Sequence, residues 1–193
     1  MTKIVLTSCG IVNEEFKERF HKILDNQDIY TSKVLYITTA SDGEDDDDKS
    51  WMDEEYKTII DLGFKEENII EYKIGNPLDI NEFDVMYMMG GNTFYLLDMI
   101  RKYKFNKIIE QFINNGKIYI GSSAGSEILG NSIEPAIGYD ENAVNMTDYT
   151  GLKIIDGLII PHCNRKREYI LKLKNDTSEE LYLLYDGGGI IVE

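Results

Sequence analysis

Two cysteines in 193 residues, Cys9 and Cys163, are too few for a disulfide framework and point to a reducing compartment, the cytoplasm. No apolar run approaches the roughly 20 residues that a membrane span needs. The opening Met1-Thr2-Lys3-Ile4-Val5-Leu6 turns polar too soon for a signal peptide and reads as a first buried strand. Positive charge is scarce: 20 Lys and Arg against 35 Asp and Glu leave a net charge of −15. Such a surface repels phosphate backbones and anionic lipid, so neither nucleic acid nor a membrane is expected as a partner. Neither G-x-x-x-x-G-K-S/T nor G-x-G-x-x-G occurs, which leaves a nucleotide phosphate site without support. The acidic stretch Ser41-Asp42-Gly43-Glu44 with Asp45–Asp48 lacks the alternating ligand order of a calcium loop and reads as a solvated loop. Histidine is limited to His21 and His162.

What is present is a chain of ordinary domain size, with 42% hydrophobic and 28% charged residues. Residues 1–193 are expected to form one domain, without a linker or internal repeat. Apolar runs predict strands over Ile4–Thr7, Val34–Thr38, Ile69–Tyr72, Val85–Met89, Lys117–Ile120, Leu158–Pro161, Leu181–Tyr185 and Ile190–Val192. Several are continuously apolar, as strands covered on both faces should be. Between them, Asn13 caps a helix whose Phe16, Phe20, Ile23 and Leu24 share one face, and a second helix is predicted over Trp51–Leu62. Ile108, Ile109, Phe112 and Ile113 form a further face, closed by Asn115-Gly116. This alternation predicts an α/β fold, a doubly wound and mostly parallel sheet flanked by helices.

The strand Lys117–Ile120 runs into Gly121-Ser122-Ser123-Ala124-Gly125, and a helix follows toward Leu129. Strand, G-x-S-x-G and helix together make a nucleophile elbow, with Ser123 on a sharp turn that holds its hydroxyl out of the sheet. A serine hydroxyl needs a base. His21 lies on the flank of a helix and reads as a half-exposed surface residue. His162 follows Leu158–Pro161 at the carboxyl end of a strand, the edge where open α/β sheets place their sites. His162 is therefore the candidate base; its alternative is a histidine that caps a strand end. Asp186, between Leu181–Tyr185 and Gly187-Gly188-Gly189, is the best-placed acid to orient the imidazole, with Asp140, Glu141 and Glu134 as rivals. A second turn, Gly90-Gly91-Asn92-Thr93-Phe94, leaves a strand for a helix. An N–H of Gly90 or Gly91, paired with that of Ala124, could form an oxyanion hole; a plain strand-to-helix turn explains the same glycines.

Together, Gly90–Phe94 with Leu96-Leu97, Gly121–Gly125, Pro161-His162, Arg167-Glu168 and Asp186-Gly187 resemble peptidase family S51, the aspartyl dipeptidases and cyanophycinases. The resemblance implies a three-layer, flavodoxin-like sandwich related to class I glutamine amidotransferases. It implies Ser123 as nucleophile, His162 as base and Asp186 at a late acidic position. It further implies a serine exopeptidase on short peptides, with Asn92, Thr93 and Arg167 at the substrate and Arg167 holding an N-terminal Asp side chain. No metal or organic cofactor is implied, and a monomer or homodimer is expected. A β-aspartyl peptidase or esterase of the same fold, or a non-catalytic binding protein, are the alternatives.

Overall fold

The computed structural model describes residues 3–24, 28–44 and 49–192; the acidic run Asp45–Asp48 lies outside them. The strands are β1 (Lys3–Thr7), β2 (Val34–Ile37), β3 (Ile69–Tyr72), β4 (Val85–Met88), β5 (Ile118–Ser122), β6 (Leu158–Ile160), β7 (Leu181–Leu183) and β8 (Gly189–Val192). The helices are α1 (Glu14–Ile23), α2 (Ser50–Asp61), α3 (Thr93–Lys102), α4 (Asn106–Asn114), α5 (Ala124–Glu127) and α6 (Arg167–Asp176). The main sheet has the order β3-β2-β4-β5-β1-β8, parallel throughout except for β8, which runs antiparallel to β1.

Alternate residues of each strand point to opposite faces. Ile4, Leu6, Leu35, Ile37, Met86, Met88 and Tyr119 join Phe94, Leu97, Ile109 and Phe112 of α3 and α4 in one core cluster. Val5, Val34, Tyr36, Val85, Tyr87, Ile118 and Ile120 join Phe16, Phe20 and Ile59 of α1 and α2 in another. Two covered faces explain the continuously apolar strands, and the result is the expected three-layer α/β sandwich.

Local details differ from the sequence reading in two places. The helix after the elbow is a single turn, Ala124–Glu127. The strand before His162 does not join the main sheet: β6 pairs in parallel with β7 in a separate two-stranded sheet. The reason lies at the edge beyond β1, where β8 takes the hydrogen bonds. One face of this small sheet packs on a cluster of Ile160, Cys163 and Ile170, with Leu181 and Leu183 against it, while Ile159, Tyr182 and Leu184 pack with the first core cluster.

Register positions the site. Thr7 is level with Ser122 and Met88 with Gly121, so Ser8, Gly90 and Ser123 emerge side by side at one carboxyl edge. Gly189 pairs with Thr7 from the antiparallel side, which brings the segment just before it, Asp186 included, to that same edge.

Candidate active site

Ser123 sits between β5 and α5 with φ 45° and ψ −112°, a conformation that a non-glycine residue adopts only when its surroundings over-determine it. They do so here. Ser123 N–H donates to Thr7 C=O at 3.0 Å, and Ser126 and Glu127 N–H both donate to Ser123 C=O at 2.9 Å. The flanking glycines are sterically required. A Cβ on Gly121 would lie 2.5 Å from the Gly125 carbonyl oxygen, and one on Gly125 would lie 2.1 Å from that of Met88.

Ser123 Oγ is 3.1 Å from His162 Nε2, and His162 Nδ1 is 2.6 Å from Asp186 Oδ1. With the Nδ1 proton on the aspartate side, Nε2 is the free acceptor that faces the serine hydroxyl. Burial by itself would raise the Asp186 carboxyl, but hydrogen bonds from Asn164, His162 and Ser8 outweigh it and bring the group down to about 2. The Arg165 guanidinium adds an ion pair at 2.9 Å. Asp186 is thus a carboxylate across the physiological range.

A residue that the sequence reading did not single out binds this array together. The fully buried Ser8, just past β1, donates its hydroxyl to Asp186 Oδ1 at 2.9 Å and accepts the His162 backbone N–H at 2.8 Å. Its Oγ also lies 3.1 Å from His162 Nδ1. His162 itself is left-handed, at φ 52°, and the Ser8 bond holds that turn. The only sequence signal was position: Ser8 is a polar residue ending the first apolar strand, at the edge already suspected of carrying the site.

The other expected residues are distributed differently. Asp140 lines the same cleft, yet its carboxylate accepts the Thr93 N–H at 2.7 Å, a cap for α3, and makes no bond to His162. Glu141 contributes its carbonyl to the Asn92 side chain at 2.8 Å, and Glu134 is exposed on a short turn. Asn92 and Thr93 are each 2% exposed: the Asn92 side-chain Oδ1 accepts the Tyr95 N–H and caps α3, and neither residue lines the cleft. Arg167 opens α6 and lines a separate groove with Cys163, Ile170 and Leu183. Gly90 N–H points to Glu55 Oε1 at 3.4 Å. Gly91 N–H meets no acceptor among the described residues, and Ala124, first in α5, has no intrahelical acceptor by position.

Ser123 and His162 open onto a cleft of about 460 Å³. Ser8, Cys9 and Val12 line one part of it, Gly90 and Gly91 another, and Trp51, Glu54, Glu55 and Thr58 of α2 a third. Glu55 is the second residue missed. It is 8% exposed, and burial pushes its carboxyl up to about 7 against the opposing pull of the Ser122 hydroxyl and the Gly90 N–H. Its signal was a charged residue on the apolar face of a helix, four after Trp51 and four before Ile59. Among the described residues no group of His, Cys, Asp and Glu is arranged to hold a metal ion, and no helix is long and apolar enough to cross a membrane.

The chain is similar to known proteins along its length. An uncharacterized peptidase of Listeria monocytogenes is 33% identical over 136 residues, which span 68% of this chain and 65% of that protein. An uncharacterized peptidase of Pasteurella multocida is 31% identical over 170 residues, 84% of this chain and 77% of the other. A crystal structure of a candidate peptidase E from Listeria monocytogenes superposes with a TM-score of 0.80 at 27% identity, covering 100% of this chain and 94% of that one. Residues 4–193 match the model of peptidase family S51, and the chain belongs to that family.

Proposed function

We propose that this protein is a serine exopeptidase that hydrolyses short peptides through Ser123, His162 and Asp186. The observation that carries the reading is the unbroken chain from Ser123 Oγ to His162 Nε2 at 3.1 Å and from His162 Nδ1 to Asp186 at 2.6 Å. It stands on a strained elbow in a member of a peptidase family. His162 Nε2 takes the Ser123 proton as the hydroxyl oxygen attacks the scissile carbonyl carbon. Asp186 holds the imidazole in the tautomer this requires and stabilises the imidazolium. The tetrahedral oxyanion is held by Ala124 N–H and Gly91 N–H; Gly90 N–H, engaged with Glu55, is the weaker partner. His162 then protonates the leaving amine, the C–N bond breaks, and water attacks the acyl-serine with His162 again as base.

A preference for N-terminal Asp has no cation to support it among the described residues that line the cleft. Arg167 was its expected cation, and it lines another groove. Hydrolysis of a dipeptide panel (Asp-Leu, Ala-Leu, Lys-Leu) by wild type and Ser123→Ala tests the reading. Turnover by wild type that vanishes in the variant is the expected result. Undiminished hydrolysis by Ser123→Ala would overturn it.

A further inference from the structure

The small sheet has an open edge. Its two strands are parallel, bonded from Leu158 N–H to Glu180 C=O and from Leu184 N–H to Ile160 C=O. Only alternate residues of a parallel strand face its partner, so 180, 182 and 184 turn toward β6. The N–H and C=O groups of Leu181 and Leu183 therefore point the other way, where no strand stands among the described residues. Such a row is a template for a further strand unless it is blunted by charge, proline or cover. β7, Leu-Tyr-Leu, carries neither a charge nor a proline.

Beside that edge lies the groove between α6 and β7, about 260 Å³ in volume. Leu171, 55% exposed, and Tyr185, 59% exposed, line it next to Leu183. Leu171 stands near the middle of α6, with Glu168 three residues before it and Lys174 three residues after, on the same flank. This stripe reads acid, leucine, base. A two-fold axis at Leu171 lays it on its own copy with Glu168 opposite Lys174 on both sides. Self-complementarity of this kind is what an isologous contact requires. The open edge calls for the same operation. Antiparallel pairing of β7 with its copy about Leu183 exchanges the outward N–H and C=O groups between the two chains. Leu171 and Leu183 line one groove, so a single axis serves both helix and strand.

We propose that this chain associates with a second copy of itself through β7 and α6, which joins the two small sheets into one of four strands. A net charge of −15 opposes the approach of copies over most of the surface. Residues 165–174 depart from that balance, with five Lys or Arg against the single acid Glu168. The negative field is therefore weakest over α6, the face that the pairing uses. The contact also bears on the site. β6 leads into His162 and β7 into Asp186, so the sheet that carries the base would rest on two chains instead of one. The proposal does not depend on the reaction assigned to Ser123.

The test is sedimentation velocity of the full chain from about 1 to about 100 µM, where wild type should pass from monomer to dimer. Lys174→Glu sets like charges opposite each other, and Leu171→Asp puts a charge on the axis; each should weaken association at least about tenfold. Glu168→Lys combined with Lys174→Glu exchanges the two signs and should restore the dimer, as only contact of α6 with its own copy explains. Glu168, Leu171 and Lys174 are all exposed, so the variants should fold as wild type does, checked by circular dichroism. Amide exchange at Leu181 and Leu183 should slow as wild type dimerises and stay fast in Leu171→Asp. A wild type that remains monomeric throughout would overturn the proposal. So would a dimer indifferent to both single substitutions, one not regained by the exchange of signs, or one that leaves the β7 amides unprotected.

Discussion

Ser123 and His162 touch, but they stand on different ground. Ser123 directly follows β5, whose residues Ile118–Ser122 are all buried and paired with β1, Ile118–Gly121 being paired with β4 as well. His162 ends β6, which pairs only with β7, a strand whose three residues are all half-buried. The core beneath the first is two large clusters; the second has Ile160, Cys163 and Ile170 on one side, and Ile159 of β6 joins one of the large clusters on the other. The difference suits the roles proposed for the two residues. A nucleophile at positive φ needs rigid surroundings to keep it there. A base that passes a proton from serine to leaving group tolerates a softer support, provided its ring stays tethered. Ser8 supplies that tether, reaching from the stiff sheet to both the His162 backbone and Asp186.

Substitutions on either side should separate the two regions. Ser123→Ala should cost at least about 10⁴-fold in kcat while leaving the melting temperature near that of wild type, as measured by steady-state kinetics and thermal unfolding. Asp186→Asn should cost about 10²- to 10⁴-fold in kcat with little change in KM, because the imidazole loses its tautomer. Ile120→Ala, in the main core, should lower stability by about 2–5 kcal/mol in urea titrations. Ile170→Ala, beneath the small sheet, should cost less stability yet more activity per unit of stability lost. An equal ratio for the two would erase the distinction drawn here.

A smaller effect concerns pH. Glu55, held at about 7 against an ordinary 4.5, keeps its proton in the folded state after the unfolded chain has released it. Its burial therefore erodes stability as pH rises from about 4.5 through about 7, and Glu55→Gln should flatten that part of the curve. Asp186 has the opposite sign: depressed to about 2, it contributes stability above its unfolded value that is lost as pH falls toward 2. Smallest of all, Arg167→Ala should change kcat/KM by less than about twofold, since the side chain is exposed in a groove of its own.

Much of this was legible in the chain. Each of the eight strand runs became a strand, because continuous apolar stretches between helices leave little else to be. The elbow declared itself through its glycines, which the packing around Met88 and Gly125 requires. What stayed hidden depended on partners far away in sequence. Nothing local tells β6 that β8 will occupy the edge beside β1. Asn92 and Thr93 after Gly90-Gly91 look the same whether they open a helix or meet a ligand; here the Asn92 side chain caps α3 and the Thr93 N–H is itself capped by Asp140. Glu55 is one acid among 35, distinguished only by the face it occupies. Ser8 acquires meaning only once β1, β5 and β8 are in register.

Asp186 lies on the short link between β7, in the small sheet, and β8, at the margin of the large one. That link ties the site to both sheets at once. Mild denaturant that loosens the small sheet should slacken His162 and Asp186 together, with Ser123 still anchored in the interior. Turnover should therefore disappear well before the far-ultraviolet signal of the main sheet does, and return as quickly once the denaturant is diluted.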